Sequence, residues 1–269
     1  MQLRGATAIV TGAGIGVGAA SALRLAGKGC NVVVNYRRSA AAAEGVADAC
    51  RPKGVEAVAV EGDVARDADC GAIAARAVGL WGRVDILVNS AGITRFIDQT
   101  DLEKVTAEDF DDIFATNVRG PFQMIRAVAP YMKTAGEGAI VNVSSVSGIN
   151  GDGSSIPYAS SKGALNTLTK SLARALAPQI RVNAVCPDYI SGRWLREGLG
   201  EAAHGRIMED ARRKSVMGKI AGPDDIAETV LWLVEQAGLI TGENLVIDAG
   251  IHLRGVRWLR SFEQRLALG

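Results

Sequence analysis

The sequence predicts an α/β protein, a single domain built on one doubly wound parallel sheet of about seven strands. Seven short, continuous apolar runs alternate with longer helical patterns from residue 6 to about residue 248. Uninterrupted apolar runs are what a parallel sheet covered on both faces requires. No proline-rich, low-complexity or strongly charged stretch divides the 269 residues, so they read as one unit rather than two. A glycine-rich turn joins the first strand directly to a helical run, as the first crossover of such a sheet needs.

The first strand is read over residues 6–10. It runs into Thr11-Gly12-Ala13-Gly14-Ile15-Gly16-Val17-Gly18 and then a helical stretch over 19–26. Glycines let the backbone bend tightly and let a pyrophosphate approach without Cβ contacts. The helix N-terminus behind them offers free N–H groups and partial positive charge. Strand, turn and helix in that order make this a nucleotide-binding prediction rather than a flexible loop. The second strand, residues 31–35, leads to Tyr36-Arg37-Arg38. A carboxylate there would hold a ribose 2′-hydroxyl. Tyr36 occupies the place instead, and Arg37 offers a forked, charge-assisted contact to a 2′-phosphate. NADP(H) is therefore favoured over NAD(H); the competing reading makes Arg37 and Arg38 solvated residues at a helix start.

The third and fourth strands, residues 56–60 and 86–89, lead to Gly62-Asp63-Val64 and Ser90-Ala91-Gly92. A helix is expected over 109–132. The fifth strand, residues 139–143, leads to Ser144-Ser145-Val146-Ser147-Gly148, and the helix over 158–177 opens on Tyr158-Ala159-Ser160-Ser161-Lys162. The i, i+4 spacing puts Tyr158 and Lys162 on one helix face. An ammonium beside a phenol favours the phenolate, so the expectation is a tyrosine pKa lowered from about 10 toward neutrality. Such a phenol is a usable proton donor or acceptor. Ser145, thirteen residues before the tyrosine, would hold a substrate oxygen against it. A sixth strand over 181–185 leads to Cys186-Pro187-Asp188-Tyr189-Ile190-Ser191-Gly192. A charged lid over 188–218, a helix over 224–235 and a seventh strand over 244–247 complete the array. The glycine turn, Asp63, Asn89, Ser145 and Pro187 all fall at carboxyl ends of strands, where such sheets bind ligands.

Taken together, these motifs resemble the short-chain dehydrogenase/reductase family over almost the whole chain, and in particular its 3-oxoacyl-[acyl-carrier-protein] reductases. Thr11-Gly12-x-x-x-Gly16-x-Gly18 matches the family's cofactor turn, and Asn89-Ser90-Ala91-Gly92 resembles its Asn-Asn-Ala-Gly segment. Thr116-Asn117-Val118 and Thr241-Gly242 with Asp248-Ala249-Gly250 also match in order and spacing. The resemblance implies a Rossmann-type fold with cofactor contacts from Gly12, Gly14, Ile15, Gly16 and Gly18. Tyr36, Arg37, Asp63 and Val64 would serve the adenosine end; Asn89, Ala91, Gly92, Pro187 and Ile190 would follow toward the nicotinamide. It implies a catalytic set of Asn117, Ser145, Tyr158 and Lys162. In it Tyr158 donates the proton, Ser145 orients the carbonyl oxygen, and Lys162 tunes the phenol and binds the nicotinamide ribose. Asn117 would anchor a water of a proton relay. Two departures stand out. Asp188 replaces the family's glycine after proline, and Gly192 stands where a threonine is expected, with Ser191 one position early as its substitute.

A formal net charge of +1 gives no reason to expect a nucleic-acid or membrane partner. Four cysteines without Cys-x-x-Cys spacing and two distant histidines indicate neither a metal site nor a disulfide framework, which suits a cytoplasmic protein. The domain is expected over 1–253. The tail 254–269, with Val256, Trp258, Leu259 and Phe262 among arginines, would dock on a neighbouring subunit or fray. Family members are dimers or tetramers, so a homo-oligomer is implied through the helices over 109–132 and 158–177. The reaction expected is the NADP(H)-dependent interconversion of a ketone and a secondary alcohol. The resemblance implies a 3-oxoacyl substrate, which the best-known family members of this length reduce, but residues 175–179, basic in those carrier-protein-dependent relatives, are uncharged here. An NAD-dependent alcohol or sugar dehydrogenase stays open, as does a catalytically silent nicotinamide-binding regulator. Trp194 and Phe96 are read either as pocket walls or as core residues.

Overall fold

The protein is described here by a computed structural model covering residues 1–192, 196, 198 and 200–254. Its strands are β1 (Thr7–Thr11), β2 (Asn31–Tyr36), β3 (Ala57–Glu61), β4 (Ile86–Asn89), β5 (Gly138–Val143), β6 (Ile180–Pro187) and β7 (Asn244–Ile247). All pair in parallel, in the order β3-β2-β1-β4-β5-β6-β7. The order reverses between β1 and β4, which opens a crevice at their carboxyl ends. The helices are α1 (Gly16–Gly27), α2 (Ala40–Cys50), α3 (Asp67–Trp81), α4 (Ala107–Phe114), α5 (Gly120–Ala135), α6 (Ser147–Asn150), α7 (Ile156–Leu176), α8 (Glu201–Lys214) and α9 (Pro223–Glu235).

Alternation along the strands divides the core in two. Ala8, Val10, Val32, Val34, Ile86 and Val88 face α1, α2 and α9, where Ala22, Leu25, Ala43 and Val230 meet them. Ile9, Val33, Leu87, Ile140 and Val182 face the other way, against Ile73 of α3 and Met124 and Val128 of α5. All of these are fully buried. At roughly 1.5–3 kcal/mol for each large apolar side chain, these two layers fix the sheet and leave the strand ends free to carry function.

The helix expected over 109–132 is instead two helices joined by a π-helical turn, Ala115–Arg119. Pro121 explains the break: it has no N–H to offer the carbonyl of residue 117, and its ring would strike that carbonyl in a continuous α-helix. α4 begins with a reciprocal capping box, in which Asp109 N donates to Thr106 Oγ1 at 3.2 Å and Thr106 N to Asp109 Oδ2 at 3.0 Å. α7 starts where Ser155 Oγ accepts from Tyr158 N at 3.4 Å. Among the described residues, no helix is long and apolar enough to cross a membrane. Trp194 and the tail 255–269 lie outside the described residues.

Candidate active site

One end of the crevice is made of backbone. Gly12 adopts a φ of 61°, and a Cβ there would stand 2.7 Å from Ala91 Cα; a Cβ on Gly18 would stand 2.6 Å from the Gly12 carbonyl oxygen. Neither position admits a side chain, so the turn, α1 and the β4 end are in direct backbone contact. Thr11 Oγ1 locks this arrangement by accepting from Ser90 N and Ala91 N, both at 3.1 Å. The first turn of α1 carries no acidic residue, and its N-cap, Ile15, supplies no side-chain acceptor. Free N–H groups in a glycine cradle suit a pyrophosphate, so the residues present fit a dinucleotide.

A cavity of about 1060 Å³ runs from this cradle across the sheet ends. Gly12, Gly14, Ile15 and Gly16 line its start, and Tyr36, Arg37, Asp63 and Val64 the adjoining wall. Asn35 sits beneath that wall, its Nδ2 donating to Val60 O at 3.2 Å and Gly62 O at 3.0 Å. Arg37 Nη1 lies 3.3 Å from Asp63 Oδ2. The arginine expected to meet a phosphate thus already rests on a carboxylate at the same wall. Ala91, Gly92, Pro187 and Ile190 line the middle. Gly18 and Asn89 do not line the cavity. Gly18 packs beneath the turn, and Asn89 Nδ2 turns into the sheet to donate to Asn142 Oδ1 at 2.9 Å.

At the far end stand Ser145, Tyr158 and Lys162. Ser145 follows β5, and Tyr158 and Lys162 share the inward face of α7's first turns. All three are buried. Ser145 and Tyr158 line the same stretch of the cavity. Lys162 Nζ donates to the Val143 carbonyl at 2.9 Å and lies 5.6 Å from the centre of the Tyr158 ring. The expected lowering of the phenol's pKa is not found. Burial pushes Tyr158 up to about 12 against a lowering effect of Ser145, and the same burial brings Lys162 down to about 8. Spacing alone shows the neighbouring charge but not the cost of removing both groups from water, and here that cost prevails.

Asn117 lies on the π turn behind this group rather than on the cavity wall. Its Oδ1 accepts from Ile93 N at 2.9 Å, and its Nδ2 donates to Ile93 O and Ser161 Oγ at 3.0 and 3.1 Å. Its carboxamide borders Gly92, as does Lys162 Nζ. Sequence reasoning passed over Ser147, whose N donates to Ser145 Oγ and whose hydroxyl meets it, both at 3.1 Å. The run of serines in 144–147 was the available signal. Thr11 was also missed as a lock between strand ends.

Beyond Tyr158 the cavity is walled by Phe96, Asp152, Asp188, Tyr189, Ile207 and Lys214. Phe96 is thus a wall and not a core residue. Ser191 does not replace the missing threonine: its N and Oγ both point to Ala221 O, at 2.9 and 3.4 Å, away from the cavity. Asp188 has its carboxyl pKa raised to about 6, by burial first and then by Asp248.

A dinucleotide cradle joined by one cavity to a buried serine–tyrosine–lysine group defines a nicotinamide-dependent oxidoreductase. A family profile described as Enoyl-(Acyl carrier protein) reductase matches residues 12–252. A protein of Streptomyces violaceoruber described as ketoacyl reductase 2 of the granaticin polyketide synthase is 40% identical over 246 residues, 91% of this chain and 96% of that one. The 3-oxoacyl-[acyl-carrier-protein] reductase FabG of Staphylococcus aureus is 35% identical over 249 residues, 92% and 98% of the two chains. A solved structure described as a short-chain dehydrogenase/reductase of Burkholderia xenovorans is 35% identical, with a TM-score of 0.85 over 92% of this chain and 98% of that one. NAD⁺-bound xylitol dehydrogenase is 30% identical, with the same TM-score over 93% and 100%. The chain belongs to the short-chain dehydrogenase/reductase family, whose members are NAD(P)-dependent oxidoreductases acting on CH–OH groups.

Proposed function

We propose that this protein is an NADP(H)-dependent ketone reductase whose first substrate class is the 3-oxoacyl thioester, with Asn117, Ser145, Tyr158 and Lys162 as its catalytic set. The observation that carries the reading is the group Ser145, Tyr158 and Lys162, buried at the end of a cavity that begins at the glycine cradle. The relatives described as ketoacyl and 3-oxoacyl reductases support the substrate class. The catalytic unit spans residues 1–253. A cytoplasmic dimer or tetramer is part of the proposal, supported by Phe110, Phe122 and Tyr131, large side chains exposed on α4 and α5.

When bound, the nicotinamide supplies the hydride. The cradle of Gly12, Gly14, Ile15 and Gly16 would hold the pyrophosphate, with Gly18 packed beneath it. Asp63 and Val64 would border the adenosine, and Arg37 would leave Asp63 to meet the 2′-phosphate, with Tyr36 beside it. Ala91, Gly92, Pro187 and Ile190 would wall the nicotinamide end, with Asn89 fixing the β4 end from within the sheet. Ser145 holds the substrate carbonyl oxygen by hydrogen bonding, and Ser147 holds Ser145. Tyr158 keeps its proton until negative charge develops on that oxygen, then transfers it. Lys162, 5.6 Å from the ring, stabilises the phenolate as it forms. Reprotonation of Tyr158 runs from a water at Asn117 through Lys162 to the phenolate; Asn117 and Lys162 both border Gly92.

The test is NADPH consumption with a 3-oxoacyl N-acetylcysteamine thioester. Turnover with the wild type, and none with Tyr158→Phe although NADPH still binds, is the expected result. Equal turnover by the variant would overturn the assigned role of Tyr158, and no turnover of any ketone by the wild type would overturn the reductase reading. The Arg37–Asp63 ion pair favours a second reading, an NAD-dependent alcohol or sugar dehydrogenase, because a 2′-phosphate must break that pair and a 2′-hydroxyl need not. NADH binding tighter than NADPH binding would select it.

A further inference from the structure

Asp188 stands one residue from the serine's anchor. Ser145 Oγ donates to the Pro187 carbonyl at 3.4 Å, and Val146 N donates to the same oxygen at 3.0 Å. Asp188 follows directly; its N–H donates to Ile247 O at 3.3 Å, which fixes its backbone at the joined ends of β6 and β7. Its side chain shares the cavity wall with Ser145 and Tyr158. Among the described residues it makes no ion pair.

The surrounding charges do not neutralise it. Lys214, at the end of α8, lies 2.6 Å from Asp210 on its own helix. Asp248, after β7, accepts from Gly250 N at 2.9 Å and His252 N at 2.7 Å, and its Oδ2 lies 2.7 Å from His252 Nδ1. Asp152, on the loop before α7, adds a second carboxylate to the same wall. The Tyr189 phenol is held neutral by burial and by Asp188 itself. A substrate whose carbonyl rests on Ser145 and Tyr158 therefore presents one flank to an acceptor lacking a strong donor.

We propose that Asp188 is a specificity-determining residue: it accepts a hydrogen bond from a hydroxyl carried beside the reacting carbonyl and rejects substrates with an anionic group there. The proposal rests on the reading of Ser145 and Tyr158 as the carbonyl-binding pair. A neutral thioester is admitted on that flank and a free 3-oxo acid is not. Like charges meeting in a partly buried wall repel strongly, because little water separates them.

The experiment measures affinity in complexes whose oxidised cofactor cannot reduce the ketone. Acetoacetate, ethyl acetoacetate and 4-hydroxybutan-2-one are titrated at pH 8 into the NADP⁺-loaded protein by calorimetry, with wild type and Asp188→Asn. The ester is expected to bind the wild type at least about tenfold tighter than the acid, and the variant to narrow that gap about fivefold or more. The hydroxyketone should lose affinity in the variant relative to the ester. Asp188→Gly removes the carboxylate without adding volume and serves if the asparagine variant does not fold. An ester-to-acid gap equal in wild type and variant overturns the proposal. Affinity ratios judge Asp188 by themselves; absent ketone reduction by the wild type with NADPH counts instead against the reductase reading.

Discussion

Lys162 lets the energetics of the site be read without substrate or cofactor. The residue is 5% exposed, and its amine is hydrogen bonded to the Val143 carbonyl and brought down from 10.5 to about 8, first by burial, with a smaller opposing effect from Cys186. A lysine whose folded pKa is depressed weakens the fold while it is charged, and the penalty is relieved as pH rises from the folded toward the unfolded value. The gap between 10.5 and about 8 corresponds to roughly 3 kcal/mol, present in full below pH 8. Most of it, about 2 kcal/mol or a little more, is recovered between pH 7 and pH 10. Lys162→Met keeps the stem and removes the titration. Urea unfolding of both proteins without cofactor, at pH 7, 8, 9 and 10, gives the difference in stability at each pH. The wild type should gain on the variant by about 2 kcal/mol across this range, with m unchanged. Tyr158, whose pKa is raised, is common to both proteins and largely cancels in the difference. A difference flat with pH would refute the argument, because it would mean that the amine is as well solvated in the fold as in the unfolded chain.

Other consequences are equally direct. Tyr158→Phe should lower kcat by about 10²-fold or more while NADPH affinity, followed by cofactor fluorescence, stays within about threefold. Arg37→Ala should weaken NADPH about tenfold or more and leave NADH nearly unaffected, since a charge-assisted contact to phosphate is worth about 1.5–3 kcal/mol; equal losses for both would show that Arg37 serves the wall and not the phosphate. Gly12→Ala places a methyl 2.7 Å from the Ala91 backbone and should abolish dinucleotide binding in titration. The handicap of acetoacetate against its ester should shrink as pH falls from 8 to 5, because Asp188, facing Asp152, Asp248, Tyr189 and Lys214, takes up a proton near 6; Asp188→Asn should show no such trend.

The sheet was legible because its strands are continuous apolar runs: β2, β4 and β7 begin where the pattern predicts, and β4 and β7 also end there. The placing of Tyr158 and Lys162 side by side in the cavity was legible because they lie four apart on one helix, a spacing that survives any tertiary environment. What depended on that environment was not. Burial reversed the expected direction for the phenol, and no pattern in the chain states how much water reaches a side chain. The Arg37–Asp63 pair joins the ends of two strands, and only their register brings the groups together. Pro121 did carry the signal for the break at 115–119, but the apolar periodicity on either side masked it.

That π turn has a consequence for how this chain can change. A helix running straight through α4 and α5 would satisfy more of its backbone, and it requires both replacing Pro121 and shortening the turn by one residue. The same deletion would rotate Asn117 by about 100° relative to α5 and withdraw its carboxamide from Ile93 and Ser161. Gains in helical regularity and retention of the site are therefore opposed at this point of the chain. Selection for thermal resilience should leave these five residues alone and accumulate its changes on the outer faces of α2, α3 and α9.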